Sequence, residues 1–316
     1  MGRSTLPALF LMISVLVAGR SITAPALEIP FRIVNGFITI EGQVEHSTER
    51  LNLLLDSGAS VSVLSERTAR HLGVFMGAPE TVRGVASEAV AYRVKDVRAR
   101  ARGIELGEMQ LAADLSAADE LCGERIDGLI GTQFFRDRIV QIDFASQRIR
   151  LLSKVRRRAI AVQLPLRLRN DVPCAAVSVN GCAPRWARVD TGCNEPLHWV
   201  VPRRAGDGRT LGSSIGFVSQ PEYLALVSIS LGSLTFPGTE AVLHGHELFP
   251  GECGLLGTGM LARFTRVTLD WPGRALLLEN SRDLETLKAC RGALHPCPRH
   301  ACSRFSQPRL KSQLPE

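Results

Sequence analysis

The chain has 316 residues and carries 38 Lys and Arg against 31 Asp and Glu, a formal charge of +7. The excess sits at the ends. Residues 281–316 hold seven basic and three acidic residues, a net +4; residues 1–26 add Arg3 and Arg20 with no acid, which leaves +1 for residues 27–280. A body so near neutrality has no electrostatic footprint for nucleic acid, and that class of partner is excluded.

The N-terminus has Arg3, an apolar run from Leu6 to Ala18, and Ala24-Pro25-Ala26. A run this short does not comfortably cross a bilayer, and basic residue, apolar run and small-residue site are laid out as a secretory signal over residues 1–26. The alternative is an uncleaved anchor. Either way the body is exported, periplasmic or secreted, and a cleaved signal would leave no stable membrane span. Eight cysteines in an exported chain predict disulfides. Cys174 and Cys182 flank Val177-Ser178-Val179-Asn180-Gly181, where Asn-Gly signals a hairpin turn, so this pair is expected to face across a short ladder.

From the signal onward, short alternating apolar runs are broken by Gly, Pro, Asn and Asp, as in Ile33-Val34-Asn35-Gly36-Phe37-Ile38-Thr39-Ile40 and Ala225-Leu226-Val227-Ser228-Ile229-Ser230-Leu231. Sustained helical periodicity is scarce, so the fold should be all-β. One helix is predicted from about Ser65 to Leu72, with Ser65 as its cap and Glu66 in its first turn. The predicted domains are a first half over 27–152, a second half over 159–280 and a basic, Cys- and Pro-rich tail over 281–316. The linker over 153–158, Ser153-Lys154-Val155-Arg156-Arg157-Arg158, reads as a solvated connection, the alternative being a processing or docking site. Each half is long enough to bury its own core.

The halves repeat one pattern. Leu51-Asn52-Leu53-Leu54-Leu55-Asp56-Ser57-Gly58 and Arg185-Trp186-Ala187-Arg188-Val189-Asp190-Thr191-Gly192 each end an apolar run in Asp-Ser/Thr-Gly. Leu129-Ile130-Gly131-Thr132 follows the first and Leu255-Leu256-Gly257-Thr258 the second, and each half then closes on a hairpin, Ile139 to Leu151 and Val267 to Leu278. A repeat of roughly 130 residues is far longer than a solenoid period and reads as a duplicated domain. One Asp-Ser-Gly alone would mark only a tight turn; two copies, each with strands leading in and out and a later apolar-apolar-Gly, form a site able to bring two carboxylates together.

Over about residues 30–279 the chain resembles the aspartic peptidases, in particular bacterial exported members with retropepsin-like motifs, here fused in one chain as in the pepsin-like arrangement. The resemblance implies two β-barrel-like acid-protease domains about a pseudo-twofold axis, a monomer that is an intramolecular pseudo-dimer, and a peptide or protein substrate lying extended in the cleft. It implies a catalytic role for Asp56 and Asp190, cross-bonding hydroxyls at Ser57 and Thr191, close approach at Gly58 and Gly192, and strands beneath the turns at Leu129-Ile130-Gly131 and Leu255-Leu256-Gly257. Flaps would fall at residues 81–87 with Gly84 and 210–216 with Gly212, stretches that equally read as plain glycine hairpins. Two neighbouring carboxylates share one proton, so one can take a proton from water while the other donates to the scissile carbonyl; no metal or cofactor is needed.

The second turn departs from the family in continuing as Cys193-Asn194, where the first has Ala59-Ser60. Cys193 reads as a small buried filler, with a disulfide or a redox control as alternatives. Pepsin-like members usually place a hydroxyl after the glycine; with Ala59 and Cys193 there instead, the dyad should titrate high and work best at weakly acidic to neutral pH. His295, Cys297, His300 and Cys302 read as part of a disulfide-containing tail rather than a metal cluster, and His244 and His246 as surface loop. Two functions stay open: an exported aspartic endopeptidase, or a catalytically silent peptide-binding module with an acid-protease fold.

Overall fold

The computed structural model describes residues 28–83, 88–155, 160–201 and 222–281. The predicted signal, residues 84–87 of the first flap, Arg156, Arg157 and Arg158 of the linker, the second flap with Gly212 and the tail beyond Ser281 lie outside them. The fold is all-β: the described residues form twenty strands and a few short helices. No described helix is long and apolar enough to cross a membrane.

Both halves use one strand plan. In the first, Leu51–Leu55 runs parallel to Gly128–Ile130, and Ser62–Ser65 packs antiparallel on the other side of Gly128–Ile130 while running parallel to Ile104–Ala113. In the second, Arg185–Asp190 runs parallel to Gly254–Gly257, and Leu197–Val200 pairs antiparallel with Gly254–Gly257 and parallel with Leu234–His244. The short strands are near-continuous apolar runs because both faces are covered: Leu53, Leu54 and Leu55 are fully buried.

One six-stranded sheet joins the halves, in the order Glu28–Val34, Arg148–Leu152, Ile139–Asp143, Phe264–Asp270, Ala275–Ser281, Ile160–Arg169. At its centre Ile139 faces Asp270 and Asp143 faces Arg266, so the pseudo-twofold axis passes between the two halves' closing hairpins. The large core runs through both halves, with Phe134, Phe135, Phe236 and Phe264 fully buried.

Three local expectations change. The helix forms over Glu66–His71, but Ser65 caps it without a side-chain bond; its amide instead donates to the Asp127 carbonyl at 2.8 Å. The Cys174–Cys182 pair does not form: Cys174 is a free buried thiol opposite Arg188. Asn180-Gly181 does not close a two-residue hairpin because Asn180 is drawn to another strand, its amide donating to Ser228 O and its Oδ1 accepting from Ser228 N, both at 2.8 Å. Cys182 therefore stays in the turn, its amide on the Val179 carbonyl, and Arg185–Asp190 starts later. His244 is not in a loop; the Leu234–His244 strand runs far enough to bury it against Val200, and only His246 beyond it is exposed.

Candidate active site

Asp56 is the first residue past the end of its strand and Asp190 the last residue of its own: the Asp56 amide donates to the Ile130 carbonyl at 2.9 Å, and Asp190 sits opposite Gly257. Each chain then turns sharply, and each carboxylate folds back onto its own turn. Asp56 Oδ1 accepts the amides of Gly58 and Ala59, both at 2.9 Å; Asp190 Oδ1 accepts the Gly192 amide, also at 2.9 Å.

The two turns are locked to each other. Ser57 Oγ donates to Val189 O at 2.7 Å and accepts the Thr191 amide at 3.1 Å, while Thr191 Oγ1 donates to Leu55 O at 2.7 Å and accepts the Ser57 amide at 2.9 Å. Both hydroxyls are fully buried, so each is held in one geometry by partners it cannot exchange for water. The glycines account for the closeness. A methyl group on Gly58 would overlap the Asp190 carboxylate, and one on Gly192 would overlap the Asp56 carboxylate. The structure thus brings Asp56, Ser57, Gly58, Asp190, Thr191 and Gly192 together.

Beneath the turns, Gly131 and Gly257 are backed by backbone. A methyl at Gly131 would strike the Val61 carbonyl and one at Gly257 the Glu195 carbonyl. Thr132 and Thr258 then tie the outgoing loops, their amides donating to Ala59 O at 2.8 Å and Cys193 O at 2.7 Å. Of the flap candidates, the first has a described stem, Pro79–Arg83 paired with Glu88–Arg93, with Gly84 at the tip outside the described residues, as Gly212 is.

Burial raises the pKa of Asp56 above its ordinary 3.8, against the Gly58 and Ala59 amides and the charge of Arg188. Burial and the nearby charge of Asp56 push Asp190 up to about 8, with Arg188 and one turn amide opposing. Both carboxylates are thus pushed toward the protonated form, and the pair holds a proton more readily than two free carboxylates; Asp56 accepts two turn amides and Asp190 one, an asymmetry that favours the charge on Asp56.

Segment 38–134 matches the aspartyl protease family. The match supports an aspartic peptidase family and spans Asp56, its turn, the Gly128–Ile130 strand and Thr132. No curated protein matches the chain.

Two features of the site escape sequence reading. Arg188, two residues before Asp190, is buried; its guanidinium makes a bidentate pair with buried Glu252 at 2.7 and 2.8 Å, donates to Gly58 O across the halves at 2.7 Å, and lies 3.4 Å over the Phe249 ring. The available signal was a cation at an inward-facing position of an apolar strand; its partner lies 64 residues on in an irregular loop. The second feature follows the Asp190 turn. Cys193 is a free buried thiol, held far above its ordinary pKa by burial and the charges of Asp190 and Glu195, which makes it a poor nucleophile. Its Sγ lies 3.6 Å from Glu195 Oε2, which is 3.3 Å from His198 Nε2, and His198 Nδ1 is 2.9 Å from His244 Nε2. Asn194 Nδ2 reaches across the halves to Asn35 O at 3.1 Å. The Asn35-Gly36 turn it meets has φ of 48° and 86°, which glycine adopts freely, and a methyl on Gly36 would press on Asn194 Cβ.

Proposed function

We propose that the chain is an exported aspartic endopeptidase that hydrolyses peptide bonds as a monomer, its two halves acting as an intramolecular pseudo-dimer. What carries this reading is the reciprocal seating of the carboxylates, each against the other half's glycine with Ser57 and Thr191 cross-bonded behind them. Such a pair holds one proton. Ionised Asp56 takes a proton from a water bound between the carboxylates, and protonated Asp190 donates to the scissile carbonyl, giving a tetrahedral diol without a covalent intermediate. The substrate is a peptide or protein segment, extended beneath the hairpin of Pro79–Arg83 and Glu88–Arg93.

The pH window follows from the same groups. Among the described residues, Asp56, Asp190, Arg188, Glu252, Cys193, Glu195 and His198 are charged or titratable groups gathered at the turns. Activity needs Asp56 ionised and Asp190 protonated, so it falls on the acid side as Asp56 binds a proton and on the alkaline side near pH 8 as Asp190 loses one. The optimum lies in the weakly acidic to neutral range.

Digestion of a peptide library across this range, with and without a statine-containing transition-state mimic, tests the proposal. Asp56→Ala and Asp190→Ala should each abolish turnover in a folded protein, because neither carboxylate can be acid and base at once. Near-full turnover by Asp190→Ala would replace the single-chain dyad with a dimer of first halves. Binding of the mimic with no hydrolysis at any pH would make the chain a silent peptide-binding module.

A further inference from the structure

Cys193, Glu195 and His198 place a thiol, a carboxylate oxygen and an imidazole nitrogen within 4.8 Å of one another. The dyad chemistry uses none of them. All three come from the short segment that leaves the Asp190 turn and enters the Leu197–Val200 strand, which is pinned on both sides by Gly254–Gly257 and Leu234–His244.

The spacing fits a small cation. Tetrahedral zinc, with metal–sulfur bonds of about 2.3 Å and metal–nitrogen or metal–oxygen bonds of about 2.0 Å, sets its donors roughly 3.5 Å apart. Here Sγ to Oε2 is 3.6 Å and Oε2 to Nε2 is 3.3 Å, so two edges of the tetrahedron are already in place. Behind the imidazole stands the partner a metal-binding histidine requires: His198 Nδ1 lies 2.9 Å from Nε2 of buried His244. A proton on Nδ1 shared with His244 leaves the Nε2 lone pair facing Glu195 and Cys193, and ligating histidines are oriented by such a bond from the second nitrogen. The donor set also selects the cation. Sulfur and imidazole suit a borderline-soft ion, whereas calcium and magnesium take oxygen ligands. His198 is buried and Glu195 is about a quarter exposed, so Glu195 gives the way in.

We propose that Cys193 Sγ, Glu195 Oε2 and His198 Nε2 form a three-ligand site for a thiophilic divalent cation of the zinc class, with His244 orienting His198 and a fourth position left for water. On binding, the Cys193 S–H proton passes to solvent as the metal–sulfur bond forms; no electron is transferred. The site begins at the residue after Gly192, whose amide holds Asp190 Oδ1, so cation binding and the second turn of the dyad share backbone.

Co2+ titration of the reduced, chelator-treated full-length protein tests this. One equivalent should produce a thiolate-to-cobalt charge-transfer absorption and tetrahedral visible bands, both displaced by Zn2+. Cys193→Ser should remove the charge-transfer band. Glu195→Gln, at a partly exposed side chain that leaves the fold alone, should weaken Co2+ binding at least tenfold, and His244→Ala about 10- to 100-fold. The tail residues His295, Cys297, His300 and Cys302 also offer nitrogen and sulfur ligands, so their combined replacement by Ala and Ser is the control and should keep the band. A band that survives Cys193→Ser, a band lost with the tail residues, or no band at one equivalent would each overturn the proposal.

Discussion

Arg188 and Glu252 form the buried ion pair nearest the dyad, and Arg188 favours the ionised form of both carboxylates. A buried pair of this kind gives little net stability beside an apolar replacement, but removing one partner leaves a buried charge without compensation, at a cost of about 3–5 kcal/mol. Arg188→Met should therefore lower unfolding stability by about that amount, and Arg188→Met combined with Glu252→Met should recover most of it, as read from urea unfolding midpoints. The single variant also frees Gly58 O and takes a positive charge from beside the dyad, so its alkaline limit of activity should move up. If the double variant were as unstable as the single one, the cost would come from lost packing on Phe249 instead of from the orphaned carboxylate.

At the level of elements, four of the hydrogen bonds that join the halves at the site run between the two turns and are carried by two hydroxyls. Ser57→Ala removes the donor to Val189 O and the acceptor of the Thr191 amide, leaving two buried polar groups unpaired at about 1–3 kcal/mol each. Ser57→Thr keeps the hydroxyl. Thermal unfolding should show the Ala variant several degrees less stable with its activity reduced, and the Thr variant close to the parent. Equal behaviour of the two would mean that the cross-bonds do not hold the turns.

These turns could be read in the sequence because everything that defines them is local and repeated: an apolar run, Asp-Ser/Thr-Gly, then a second apolar run ending in Gly-Thr. The Arg188–Glu252 pair and the His198–His244 contact could not, since their partners are 64 and 46 residues apart and meet only once parallel strands have aligned. The expected Cys174–Cys182 pair failed for a related reason. Asn-Gly marks a turn wherever it occurs, but the long-range ladder to Ser228 decided which strand the turn served.

For the whole molecule, the six-stranded sheet and the dyad set opposing pH dependences. Asp143 is buried where the two closing hairpins meet. It accepts from Arg150 and, across the halves, from Arg266 at 2.9 Å, with the Ala145 and Ser146 amides at its other oxygen. Burial works against its charge, but Arg266, the Ser146 amide and Arg150 outweigh it and hold Asp143 well below the ordinary carboxylate range. The folded chain keeps Asp143 ionised where the unfolded chain begins to bind a proton, so this contribution is present above an unfolded pKa near 3.8 and is lost as pH falls below it. Asp190 acts in the reverse sense. Its pKa is raised from 3.8 to about 8, so through that interval the folded chain holds a proton that the unfolded chain has released. Stability then declines as pH rises, with a slope of at most about 1.4 kcal/mol per pH unit. The two limbs meet near the ordinary carboxylate pKa of 3.8, so the melting temperature should peak at about pH 4. Asp190→Asn, which is neutral at every pH, should flatten the alkaline limb and make the inactive protein more stable than the parent at pH 7. Asp143→Asn should lower stability throughout and flatten the acid limb. Calorimetry of the three proteins between pH 3 and 9 checks both, and an alkaline limb left unchanged in Asp190→Asn would mean that the dyad does not hold its proton through the neutral range.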